Sequence, residues 1–257
     1  MTGRMRVGVV VVAGLLGLAA QAAAQVTGMP LFTNPRFGTG LRVHADIGQP
    51  TDQGTQPGNL TVMQGGVTLA LWRLGIGANV GALKNDIKGI TGCTSSTLTG
   101  CNPQTKITGS ALAQLRLVGG GINPLALSVF GGASLDVKAL DVAAMSTSIP
   151  QIIRDSMGAK ELTIPVGASI GLHIPLVLLS VNLWAAPRYN IHKFIKCPAS
   201  VSLMCHGSTS SFRWAAGADI PLFGILGVRA AYDSGKINGR TVNYWGVGAS
   251  VGLGGMR

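Results

Sequence analysis

The chain has 257 residues, of which 11% are charged and 47% hydrophobic, with 38 glycines and a formal net charge of +11. An ordinary soluble domain is about 25% charged, so little charge is available to cover a water-facing surface. The length allows one large domain or two small ones.

At the start, Arg4 and Arg6 precede an apolar run from Val7 to Ala20 and the small-residue site Ala22-Ala23-Ala24. This is the three-part pattern of a secretory signal, and cleavage is expected after Ala24. An uncleaved anchor is the alternative, but the segment barely reaches spanning length. The expected organisation is a signal over 1–24, a short N-terminal segment over 25–36 and one domain over 37–254. No later stretch can span a bilayer as a helix: the most apolar, Ile174 to Pro187, is interrupted by Pro175, Ser180 and Asn182.

Ten segments then alternate with period two, at about 37–48, 61–72, 74–84, 105–118, 125–137, 162–174, 178–192, 208–220, 224–234 and 241–254. In the sixth, Leu162, Ile164, Val166, Ala168, Ile170, Leu172 and Ile174 share one face. Thr163, Pro165, Gly167, Ser169, Gly171 and His173 share the other. This is strand periodicity. Short connections near Arg73, 119–123, 175–177 and 221–223 alternate with long ones over 49–60, 85–104, 139–160, 193–207 and 235–240, which predicts an up-and-down meander.

The charges fall on one parity. Arg42, Asp46, Arg116, Asp136, Arg188, Arg213, Asp219, Arg229 and Asp233 all oppose the apolar residues, as do His44 and His173, and that polar face holds no Lys. A lipid-facing Arg would cost roughly 2–4 kcal/mol near the bilayer midplane, and an open sheet edge in hydrocarbon leaves backbone groups unpaired. The expectation is an all-β, transmembrane antiparallel up-and-down β-barrel of about ten strands, eight being possible, with the charges enclosed. A soluble sandwich is the alternative, although its polar face should be rich in Lys and Glu. Tyr189, Phe212, Trp214, Tyr232 and Trp245 are expected to point outward near the long loops, with Phe37, Trp72 and Phe223 at the opposite rim, forming two interfacial girdles.

On this pattern of alternation, loop lengths and enclosed charge, the chain resembles the small outer-membrane β-barrel proteins of Gram-negative bacteria, the OmpA/OmpX-like and small porin-like families, over about 37–254. The resemblance implies export to the outer membrane, insertion by the barrel assembly machinery, periplasmic short turns and surface-exposed long loops. Those families often close on an aromatic residue in the last strand, whereas this chain ends Gly254-Gly255-Met256-Arg257.

Several residue groups could carry a function. Cys93 with Cys101 and Cys197 with Cys205 sit in long loops and are expected to form two local disulfides. Metal binding is the rival reading because His206 follows Cys205, but the spacing is not that of close zinc-ligand pairs; no metal and no cofactor are expected. Lys84, Lys88, Lys106, Lys138, Lys160, Lys193, Lys196 and Lys236 all lie at the long-loop end. They form a basic collar that is either ordinary loop solvation or a site for lipopolysaccharide phosphates, anionic solutes or other surface ligands. Nucleic acid is not an expected partner.

The enclosed Arg, Asp and His residues should form a paired lumen network. Inward glycines such as Gly75, Gly77, Gly81, Gly167, Gly171, Gly246 and Gly248 make room for water or for Phe130, Trp184 and Tyr244. Three functions follow in order: a narrow passive pore or structural barrel, a surface adhesin or lipopolysaccharide-binding protein, and an enzyme at the outer rim. For the last, His192, His206 and Asp233 lie at suitable heights, but no nucleophile-base motif accompanies them, so no catalytic residue is assigned and no enzymatic activity is expected.

Overall fold

The computed structural model describes residues 29–51, 60–85, 104–120, 123–138, 159–176, 179–196, 208–237 and 240–253. The signal region and most of the long loops lie outside this set, including Lys88, the four cysteines and His206.

Ten antiparallel strands run in chain order: β1 (Gly40–Pro50), β2 (Leu60–Leu71), β3 (Leu74–Asn85), β4 (Gln104–Gly120), β5 (Asn123–Lys138), β6 (Lys160–Pro175), β7 (Ser180–Lys196), β8 (Ser208–Leu222), β9 (Leu226–Ile237) and β10 (Arg240–Leu253). Each pairs with its sequence neighbour, and β1 closes on β10 from Leu41↔Leu253 to Pro50↔Tyr244. No sheet edge remains, as a hydrocarbon environment demands.

The alternation read from the sequence becomes the two faces of this wall. Val43, Met63, Val80, Val166, Ile170 and Val247 are exposed on the outside, while His44, Gln64, Ser128, Ser169, Arg188 and Asp233 are buried on the inside. A water-soluble barrel has these faces the other way round, so the exterior is built for lipid. Tyr189 and Phe212 pack edge-on at 5.4 Å, and Trp214 and Tyr232 lie 5.8 Å apart. With Trp245 they form an exposed aromatic belt across β7 to β10 near the long-loop end. At the other rim Trp72 and Phe223 project from the β2–β3 and β8–β9 turns with φ of 53° and 51°. Bulky residues in that left-handed region cost about 1–3 kcal/mol each.

Phe37 departs from the expectation. The first strand begins at Gly40, not at residue 37, and residues 29–39 run as a separate strap along the lumen. Met29, Leu31, Thr33, Pro35 and Phe37 are all buried, so Phe37 faces the interior and is no part of a lipid-facing girdle. Gly40, at φ 111°, lets the chain leave the strap and enter the wall in a conformation that a side chain would resist. The strap has a direction. Met29 lies against Gly48 and Gly246 in the long-loop half of the barrel, whereas Phe37 lies over Gly75 beside the short turns.

Candidate functional site

The lumen is filled by the strap and by the polar residues that hold it. At the short-turn end, Arg116 donates from Nη1 to the Phe37 carbonyl at 3.2 Å and from Nη2 to the Trp72 carbonyl at 2.6 Å. Its guanidinium lies 5.2 Å from the centre of the Phe37 ring. One level up, Asn34 donates its amide to Asp219. Gln114 Nε2 reaches the carbonyls of Thr33 at 3.3 Å and Asn34 at 3.2 Å. Above these, Leu31 N donates to Asp233 at 3.4 Å. Nearly every level of the strap therefore meets a donor or acceptor projecting from the wall.

Small wall residues give the strap its room. A Cβ at Gly171 would lie 2.7 Å from Pro35 Cγ, and one at Gly246 would lie 2.9 Å from Pro30 Cδ. Gly75 faces Phe37. Other glycines accommodate wall side chains: Gly167 faces Phe130 and Gly217 faces Trp184. Both uses foreseen for inward glycines are thus partly replaced by a third, close approach of another piece of backbone. Inward apolar residues complete the fit. Val62 and Leu83 pack with Met29, and Leu31 packs with Phe130, Trp184, Ala186, Ala215 and Ala231.

Several of the enclosed charges form ion pairs, and others meet neutral polar groups. Arg229 grips Asp46 through Nε at 2.6 Å and Nη2 at 2.5 Å, and its guanidinium lies 4.2 Å from the centre of the Phe32 ring. His44 Nε2 meets Asn79 Oδ1 at 2.6 Å. Arg188 and Arg213 share Asp233, and all three side chains are buried to within 1%. Arg42, His173 and Asp219 line a cavity of about 280 Å³ with Arg36 at the short-turn end, where His173 Nδ1 meets Asn182 Oδ1 at 2.8 Å.

One member of the basic collar belongs elsewhere. Lys106 turns into the lumen and pairs with Asp136 at 2.7 Å, so the polar face does carry a Lys. Burial of Asp136 explains this, because an enclosed carboxylate recruits the nearest flexible cation. Lys84, Lys138, Lys193, Lys196 and Lys236 are exposed, while Lys160 is half-buried and donates to the Val137 carbonyl at 2.6 Å.

Two of the three residues expected at the height of a rim enzyme, His192 and Asp233, are among the described residues, and His206 lies outside them. Asp233 is occupied by its two arginines. His192 instead has three other partners: Nδ1 meets Glu161 Oε1 and lies 3.3 Å from Thr163 Oγ1, and Nε2 meets Ser211 Oγ at 3.0 Å. Thr163 Oγ1 donates to Glu161 Oε1 at 3.3 Å. Glu161 and Ser211 were missed because no motif links them, although inward parity on β6 and β8 marks both. No group of three or more His, Cys, Asp or Glu side chains suited to a metal ion occurs among the described residues.

No protein-family model matches the chain, and no curated protein matches it in sequence. Among solved structures it is similar to the β-domain of the Bordetella autotransporter BrkA, with 10% identity, a TM-score of 0.49, and coverage of 84% of this chain and 100% of that one. It is also similar to neisserial surface protein A, with 11% identity, a TM-score of 0.34, and coverage of 84% and 98%. The Yersinia pestis outer membrane protein Ail gives 10% identity, a TM-score of 0.35, and coverage of 82% and 99%. These are likenesses of fold.

Proposed function

We propose that this chain is an outer-membrane barrel of the sealed, structural kind: a platform whose lumen is closed by its own residues 29–39 and whose long-loop end carries exposed lysines. The observation that carries this reading is the strap itself. A solute path along the axis would have to pass Met29, Leu31, Thr33, Pro35 and Phe37, all of them buried against the wall. Ten strands enclose more space than the eight whose side chains just fill a barrel, and the strap occupies the difference.

Planar-bilayer recording tests this directly. The refolded chain is expected to give no steady conductance, and a chain lacking residues 29–38 is expected to give discrete small steps. Steady conductance from the intact chain would replace the sealed barrel with the narrow passive pore.

The five exposed lysines at the long-loop end favour a second role on the same platform, binding of phosphate-bearing lipopolysaccharide or another anionic surface ligand.

A further inference from the structure

Glu161, His192 and Ser211 lie on β6, β7 and β8, three consecutive strands, and all face the lumen at its long-loop mouth. Their contacts form a relay. Glu161 Oε1 lies against His192 Nδ1, and His192 Nε2 lies 3.0 Å from Ser211 Oγ. A carboxylate on Nδ1 keeps the proton there, so Nε2 presents its lone pair to the serine hydroxyl. This is the arrangement that activates a serine nucleophile. The cluster is also reachable. The side chains of His192 and Glu161 retain 16% and 32% exposure, and Ser211 is half-buried, whereas the Arg188–Asp233 pair below is at zero.

We propose that Ser211, His192 and Glu161 form a hydrolytic triad that cleaves carboxylic esters entering from the long-loop side. Ser211 Oγ forms a bond to the acyl carbon while His192 Nε2 takes the hydroxyl proton. The acyl–alkoxy bond then breaks, and His192 gives that proton to the departing alcohol. Water repeats the sequence on the acyl-serine and releases the acid, so ester and water become acid and alcohol with no other reactant. Glu161 is a positioning residue that holds the imidazole and stabilises it when protonated.

The backbone amides of this wall are committed to the ladder, so the oxyanion needs a side-chain donor. Asn190 stands opposite Ser211 in the β7–β8 register. Its Oδ1 accepts from Arg188 Nε at 3.1 Å, which fixes the amide beside the serine. The buried guanidiniums of Arg188 and Arg213 add positive potential beneath the site. The proposal does not depend on whether the lumen below is sealed.

The test uses the full chain refolded in detergent, a fluorophosphonate probe and p-nitrophenyl butyrate. One label per chain is expected, on Ser211. Ser211→Ala should lose the label and at least 100-fold of the turnover while keeping the heat-dependent gel mobility of a folded barrel. Glu161→Gln should lower kcat by roughly 10²–10⁴ with little change in KM. A merely structural glutamate would instead lower the folded fraction and leave kcat per folded barrel unchanged. An unlabelled wild-type chain, turnover unchanged in Ser211→Ala, or kcat unchanged in Glu161→Gln would each overturn the triad.

Discussion

Arg213 holds a single oxygen of Asp233, donating to Oδ1 from Nε at 2.9 Å and from Nη2 at 2.7 Å, and thereby leaves Oδ2 to Arg188 at 2.5 Å. One carboxylate thus neutralises part of two fully buried guanidiniums and also receives the strap through Leu31 N. Asp233→Asn is expected to destabilise the barrel by about 3–5 kcal/mol, since it leaves two enclosed cations without a counter-charge. Arg188→Met removes the surplus charge and should cost less. Urea unfolding in detergent ranks the two, and the reverse order would contradict this account of the cluster.

Gly171 governs the lower half of the strap. Valine there would place its Cβ only 2.7 Å from Pro35 Cγ, and a proline ring cannot fold aside. Gly171→Val should therefore dislodge the strap while the wall stays closed. Protease cleavage within residues 29–39 should rise at least tenfold over the intact chain, with the heat-dependent gel shift retained. A strap as resistant as before would show that the fit is looser than these distances imply.

Val80, outward on β3 between neighbours of the lipid face, tests the orientation of the wall. Val80→Arg should cost roughly 2–4 kcal/mol in folding into bilayers. If the variant folded as readily as the parent, that face would not be meeting lipid.

Binding to vesicles that contain lipid A phosphates should depend on the exposed lysines. Replacing Lys84, Lys193 and Lys196 with Gln removes about 1 kcal/mol each near an anionic surface, roughly a 10²-fold loss of affinity. The difference should shrink as salt is raised. Unchanged affinity at low ionic strength would retire the collar as a binding surface.

Sequence alone determined the up-and-down order and the face that most wall residues take, with about ten strands expected and eight left open, because period-two alternation is written in adjacent residues. Arg42, Asp46, Arg188 and Asp233 declared themselves inward by parity with Val43, Ile47, Tyr189 and Tyr232 outside them. What fills the tube was not legible. Residues 29–39 carry no ladder hydrogen bonds to announce them, and their fit depends on distant glycines such as Gly171 and Gly246. Lys106 likewise read as one more loop-end cation until Asp136 was seen across the β4–β5 pair. The meeting of Glu161, His192 and Ser211 depends on the registers of two successive hairpins, across separations of 31 and 19 residues. Alternation is a property of one strand, whereas register and enclosure belong to the closed cylinder, so only the tertiary structure could bring these groups together.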